Sequence, residues 1–410
     1  MIKPLRIVGA QVWHAGKREL PRELNVTDRV IADPDPRALR IDLEGYTIFP
    51  GLINGHDHLD LNHYPRTKFR DKYDNAHQWG EDVNVHLNES PFKELRAYPH
   101  EDRLLIGGLK NLLCGALTVF HHDPPYAPLF KKSFPVRVIK EYGWAHSLHF
   151  NAEAKIVESY RKTPSNYPWF IHLAEGTDHI AQTEFQQLVK IGCVNANTVL
   201  IHGVGLTASD LYNHHTRNIH MVICPSTNQY LLSRLPIETA LAFRSRLLIG
   251  SDSRLTADGD LLDEIRLYTA MIAETIKDHR DTVYPYALSC VTNHFRNFQT
   301  FSNYFSAIGH LDINAAADWI VLKHDYEPYK PEHLIDNAHR ADLALVVRGG
   351  IPQIGDPDLM TKFPHVETVE ATLDGIPKLI NLHLARQIAR SSLKEKGLEF
   401  LQSPFKNRWF

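Results

Sequence analysis

Through the middle of the chain, short apolar runs alternate with longer stretches of helix-like pattern. Eight runs read as strands: Leu52–Gly55, Leu117–Phe120, Val136–Ile139, Trp144–Phe150, Trp169–Leu173, Thr198–Ile201, Met221–Cys224 and Leu247–Gly250. Strands alternating with helices argue for parallel β-α units rather than a sandwich. The runs at 136–139 and 144–150 break the rhythm, because only a short turn separates them. Residues 49–307 hold all eight and are close in number to the ~250 that a (β/α)8 barrel needs. The expected fold class is therefore α/β, with a TIM barrel as the main body.

The two ends read differently. Leu5–Trp13, Arg29–Ala32 and Tyr46–Phe49 are strand-like and broken by the Asp33-Pro34-Asp35-Pro36 turn; Trp319–Lys323 and Leu343–Val347 follow the same pattern before Gly349-Gly350. Neither piece buries a face alone. Residues 1–48 and 308–375 are therefore expected to combine into one small β-sandwich domain. Residues 376–410 are expected to form a C-terminal helix and tail, the helix running from Lys378 to Phe400 with Leu384, Ile388 and Leu393 inward. The aromatic end Arg408-Trp409-Phe410 either docks on its own barrel or meets a second subunit, which is the ground for considering a homodimer.

Composition narrows the function classes. With 43% hydrophobic residues, 23% charged and a net charge of −3, the chain is neither disordered nor basic, which argues against a nucleic-acid partner. Cys114, Cys193, Cys224 and Cys290 form no C-x-x-C pair and read as reduced core thiols. Without a signal-like apolar core or a membrane-length apolar stretch, the expectation is a cytoplasmic protein with a small-molecule substrate.

Histidine is abundant, at 25 residues, and imidazole is the commonest protein metal ligand. His56-Asp57-His58 closes the run Ile48–Gly55. Side chains two apart on a strand share a face, so both imidazoles are expected inward and Asp57 outward. His172, His202 and Asp252 each follow their own apolar run. At the carboxyl ends of barrel strands such groups converge, and a buried Asp252 is better explained by a cation than by packing.

The segments Pro50-Gly51-Leu52-Ile53-Asn54-Gly55-His56-Asp57-His58, His172-Leu173-Ala174-Glu175, Val199-Leu200-Ile201-His202, Cys224-Pro225-Ser226-Thr227-Asn228 and Gly250-Ser251-Asp252 together resemble the amidohydrolase superfamily. The H-x-A-E form is most similar to the branch of triazine chlorohydrolases, guanine deaminase and S-adenosylhomocysteine deaminase. The resemblance implies one divalent metal held by His56, His58, His172 and Asp252: zinc first, iron or manganese as alternatives. A cation so held brings the pKa of water to ~7 and supplies hydroxide for attack on an sp² carbon. Asp252 would take the water proton, Glu175 would protonate the leaving group, and His202 would orient or polarise. The implied activity is hydrolytic deamination of an amino-substituted heterocycle. The same site would serve amide, lactam or chloro-heterocycle hydrolysis, and a metal-free binding protein of the same fold is the non-enzyme alternative.

The resemblance implies that a second metal would need a bridging lysine or other ligand from the fourth strand. No lysine ends the fourth strand run, where His149 stands and Lys155 lies a few residues on, so a single ion is expected. After Asp252 the chain reads Ser253-Arg254-Leu255-Thr256-Ala257-Asp258-Gly259-Asp260, where relatives carry glycine and a Ser-Asn pair. Arg254 is expected either to bind substrate through its guanidinium fork or to pair with Asp258 or Asp260. Asn62, His121, His122 and Asn228 are the other candidate substrate contacts. The long polar loop with His63, Tyr64, Arg66 and Trp79 is expected to roof the pocket. Gly203-Val204-Gly205-Leu206-Thr207-Ala208 matches a dinucleotide fingerprint but lacks the acidic residue about 20 positions on.

Overall fold

The computed structural model describes residues 3–15, 23–213, 216, 218–257, 259–276, 280–295, 305–324, 333, 335 and 337–405. The aromatic tail at 408–410 lies outside them. Eight parallel strands form two sheets: β1 (Leu52–Asp57), β2 (Ala116–His121) and β3 (Arg137–Val138) in one, and β4 (Gly143–Ser147), β5 (Trp169–Leu173), β6 (Thr198–His202), β7 (His220–Ile223) and β8 (Leu247–Ile249) in the other. Among the described residues no ladder joins β3 to β4 or β8 to β1. The second gap is narrow: Asp252 donates its N–H to the His56 carbonyl at 3.0 Å, and a Cβ on Gly250 would lie 2.7 Å from His56 Cβ.

These strands are wholly buried along most of their length, as expected of parallel sheets covered on both faces. Alternation sorts them. Ile53, Phe120, Phe170, Val199, Ile201, Val222 and Leu248 meet in one cluster drawn from both sheets. Their neighbours Leu117, Ile171, Leu200, Met221 and Ile249 join the larger core that also includes Leu105 and Leu109 of α1 (His100–Leu113).

The chain ends do pair. Tyr46–Pro50 runs antiparallel to Trp319–Lys323, with Pro50 opposite Trp319, inside an eight-stranded sheet. A four-stranded sheet carries Leu5–Val8, Glu23–Thr27, Val30–Ile31 and Leu39–Asp42. One buried cluster takes Ile7, Val26 and Ile41 from this sheet and Ile48, Trp319 and Val347 from the other. The first expected strand is two short ones, because Gly9 turns the chain at φ +84°.

The C-terminal helix expected over 378–400 is shorter. Only Leu382–Arg390 is helical; Ile376–Asn381 and Leu398–Phe400 on either side are strands of the large sheet. The apolar residues at 384 and 388 mark the helix, whereas the alternation beyond its ends is strand-like. All four cysteines are buried free thiols. No helix among the described residues is long and apolar enough to cross a membrane.

Candidate functional site

His56 lies within β1 and His58 just beyond it, but strict alternation alone does not aim them. Ile53 faces the inner cluster, so His56 would be expected on the opposite face. The β1–β2 register shifts between Asn54 and Asp57, and such an irregularity re-aims side chains. Both imidazoles then face His172 of β5: the Nε2 atoms of His56 and His172 are 3.3 Å apart, as are those of His58 and His172. Asp252 Oδ1 lies 3.7 Å from His56 Nε2 and 3.9 Å from His58 Nε2.

Three site residues take the left-handed backbone that side chains avoid: Ala174 at φ 53°, His202 at 75° and Asp252 at 50°. Each such residue costs about 1–3 kcal/mol and persists only where its surroundings hold it. Here they do. The Ala174 N–H donates to Glu184 Oε2 at 2.6 Å, and the Asp252 carbonyl accepts from Lys110 Nζ at 2.6 Å. The turn at His202 brings a ring that alternation would send outward to within 5.4 Å of the His172 ring and 5.8 Å of the His56 ring.

The donor set fits a divalent cation. Two ligand atoms each about 2.0–2.1 Å from a tetrahedral zinc lie about 3.3 Å from one another, which is the spacing of His172 Nε2 from the Nε2 atoms of both His56 and His58. Burial and neighbouring imidazoles push His56 and His172 well below the ordinary histidine range, into the neutral form that ligates. Burial also disfavours a charged His58, but the Asp123 carboxylate, 2.6 Å from its Nδ1, outweighs this and raises it. A carboxylate behind a histidine is the usual outer partner of a metal ligand, fixing the tautomer with Nε2 free. Asp252 Oδ2 accepts from Thr227 Oγ1 at 3.1 Å and Thr256 Oγ1 at 3.3 Å, leaving Oδ1 toward the imidazoles.

Glu175 and His202 form the second half of the site. Glu175 Oε2 is 3.4 Å from His202 Nε2. Burial, with Asp252 and Glu184 nearby, holds the Glu175 carboxyl well above its usual range, which favours the protonated form. Burial lowers His202 to about 4. Asn228 Nδ2 donates to His202 Nδ1 at 3.1 Å, which leaves the proton on Nε2.

His58, His172, Glu175, His202 and Asp252 line one cavity of about 470 Å³. The roof comes from the long loop and from α2 (Ala76–His86), as expected, but its character is apolar. Trp79, Val83 and Leu87 project from one face, joined by Tyr64, Phe92 and Leu255. The spacing 79, 83, 87 is that of a single helix face, the signal by which this surface was readable. Among the described residues no lysine or arginine lines the cavity.

None of the five candidate substrate contacts, Asn62, His121, His122, Asn228 and Arg254, lines this cavity. Asn62 donates to Asp57 Oδ1 at 2.8 Å and to the His58 carbonyl at 3.0 Å, so it braces the ligand strand. His121 is buried and Asn228 serves His202; neither lines the cavity. Arg254 faces a separate pocket, and Glu395 takes its fork at 2.9 and 2.6 Å. This replaces the expected partners Asp258, which lies outside the described residues, and Asp260. Lys155 is an exposed helix residue paired with Glu158, and His149 pairs with Glu81 at the surface. At the end of the fourth strand it is His146 that faces the cavity, lowered to about 4 by burial. Asp123, Lys110 and His146 had no distinguishing sequence signal, since their partners lie far away in the chain.

No family model and no curated protein sequence matches the chain. Solved structures do. The chain is similar to a zinc-bound adenosine deaminase from Xanthomonas campestris with a TM-score of 0.69 at 16% identity, over 85% of this chain and 92% of that one. A zinc complex of atrazine chlorohydrolase from Arthrobacter aurescens matches with a TM-score of 0.67 at 15% identity, over 85% and 94%. N-isopropylammelide isopropylaminohydrolase from Burkholderia multivorans matches at 0.56 and 17%, over 86% and 98%. At such identities the likeness establishes the fold. The chain thus has the fold of these solved enzymes, two of which are described with zinc bound.

Proposed function

We propose that the two parallel sheets close into one (β/α)8 barrel over residues 49–307, that residues 1–48 and 308–375 form a β-sandwich beside it, and that the barrel mouth is a hydrolase site for one divalent cation. Zinc is the favoured ion, given the spacing of the donors and the zinc in the structural neighbours. His56, His58, His172 and Asp252 would hold it. Once bound, the cation lowers the pKa of water to about 7 and so supplies hydroxide at neutral pH.

The chain's own residues supply the rest. Asp252 would accept the proton that water gives up as its oxygen adds to an sp² carbon. Glu175, which keeps its proton, hands it to the departing nitrogen, so that an amino substituent leaves as ammonia. Positioned proton transfer of this kind contributes about 10²–10⁴-fold. His202, neutral with its N–H on Nε2, donates to the oxygen or nitrogen that gains charge. A cavity floored by carboxylates and imidazoles, roofed by apolar side chains and, among the described residues, without a lysine or arginine, suits a neutral amino-substituted heterocycle better than a carboxylate or phosphate.

The convergence of three Nε2 atoms and one carboxylate beside a protonated Glu175 carries this reading. Displacement of chloride, or opening of an amide or lactam, would use the same groups, and the structural neighbours include a chlorohydrolase. The test is a substrate panel on zinc-loaded protein of known metal content. Ammonia from aminopurines, pterins or aminotriazines is expected. No ammonia from any of these, with turnover of chlorotriazines or lactams, overturns deamination in favour of the second reaction. Glu175→Gln is expected to keep its zinc and lose about 10²–10⁴-fold in kcat; full activity in that variant would remove the proton-donor role.

A further inference from the structure

One more imidazole points at the metal-binding cluster. His122 follows β2 directly, is 2% exposed, and belongs to none of the four ligand positions assigned above. One of its ring nitrogens lies within 4.8 Å of the donor atoms of His56, His58 and His172. Its ring centroid is 4.2 Å from that of His172 and 5.1 Å from that of His56, comparable with the 5.0 Å between His56 and His172 themselves.

The tautomer decides which nitrogen is available. Nε2 lies 3.0 Å from the main-chain carbonyl of Ala145. A carbonyl only accepts, so Nε2 carries the proton and Nδ1 carries the lone pair. Nδ1 is buried and has no hydrogen-bond partner among the described residues. A buried acceptor without a donor is destabilising, and a cation would supply the missing partner. The bond to Ala145, just inside β4, also fixes the ring plane, the task that outer-shell carbonyls perform for metal-binding histidines.

We propose that His122 is a further ligand of the same ion, through Nδ1. The assignment rests on the metal-hydrolase reading above and deepens it, giving a donor set of four imidazoles and one carboxylate. The sequence marks His122 only as a candidate substrate contact, since Ala145 and the other rings it meets are distant in the chain. The bridge from Ala145 across to the end of β2 also lies where no ladder joins the two sheets, so the ligand would be held by the gap between them.

The test uses the full chain, stripped of metal and reloaded with zinc or cobalt(II). Wild type is expected to bind one ion. In the cobalt protein, ligated imidazoles each show a paramagnetically shifted exchangeable N–H proton; four such signals are expected, and three would overturn the proposal without any variant. His122→Ala and His122→Gln are each expected to bind zinc about 100-fold or more weakly in competition with a chelator, since even outer-shell losses cost 10–100-fold. Their cobalt spectra should show more intense visible bands, as a lower coordination number gives. A folded variant with unchanged affinity and spectrum overturns the role of His122 and leaves the hydrolase reading standing. A second ion per wild-type chain also overturns it, because His122 would then serve another site. Wild type that takes up no metal defeats the hydrolase reading itself.

Discussion

Lys110 and Asp252 are joined by a 2.6 Å hydrogen bond from Nζ to the main-chain carbonyl, across 142 residues of sequence. The same ammonium lies 3.1 Å from Asp57 Oδ2, and both side chains are buried. Asp57 stands between the two histidines of β1, so one lysine on α1 ties the strand carrying His56 and His58 to the strained backbone carrying Asp252. Lys110→Met is expected to cost about 3–5 kcal/mol, the usual penalty for leaving one member of a buried ion pair alone. Zinc affinity should fall with it, because Asp252 loses the bond that holds its φ of 50°. Chemical denaturation of the metal-free protein and chelator competition measure the two effects separately; unchanged zinc affinity would remove the positioning role.

Asp123 makes a second, smaller claim on the site. Its Oδ2 is 2.6 Å from His58 Nδ1, the ring nitrogen opposite the one that faces His172. Asp123→Asn keeps the shape and one hydrogen bond but loses the charge that orients His58. Zinc affinity is expected to drop about 10–100-fold, with little change in the stability of the metal-free chain. Equal affinity in titrations of both proteins would show that the pair is only structural.

Much of this site was legible because its signals are local. His56-Asp57-His58, His172, His202 and Asp252 each end a continuous apolar run, and the structure sets them around one centre. Which residues support them was not legible, because the supporting contacts cross the fold: Lys110 to Asp252, Asp123 to His58 and Asn228 to His202. The small sheets were half legible for a similar reason. Trp319–Lys323 reads as a strand on its own, whereas Thr368–Leu373 and Ile376–Asn381 become evident only as a paired hairpin around Asp374-Gly375. Arg254 shows the opposite failure: proximity to Asp252 in sequence suggested substrate, but its guanidinium turns toward the C-terminal segment.

That segment gives the next expectation. Glu395 accepts from Arg254 at 2.6 and 2.9 Å and from Arg340 Nη1 at 2.7 Å, and its side chain is buried. Glu395→Ala leaves two guanidinium groups without their shared carboxylate. A loss of about 3–5 kcal/mol in stability is expected, with KM for neutral substrates unchanged. A rise in KM with stability intact would return Arg254 to the substrate side.

Glu264 allows a pH test away from the metal-binding groups. It sits on the helix Leu261–Ile276, fully buried, and accepts from the Ser226 N–H at 3.0 Å and from the Ser226 hydroxyl. Burial outweighs those hydrogen bonds and raises its carboxyl from 4.5 to about 8. Below pH 4.5 both folded and unfolded chains hold this proton, and the group adds no pH dependence. Between 4.5 and about 8 the unfolded chain releases it while the folded chain keeps it, so stability falls as pH rises. Above about 8 both forms are ionised and the loss levels off. Glu264→Gln cannot ionise and escapes this cost. Its melting temperature relative to wild type is therefore expected to rise between pH 5 and pH 8.5, by on the order of 2 °C or more. Measuring both proteins at the two pH values cancels every other titrating group. An offset that is the same at both would mean that Glu264 is ionised in the folded chain at neutral pH, held by Ser226 rather than neutralised by burial.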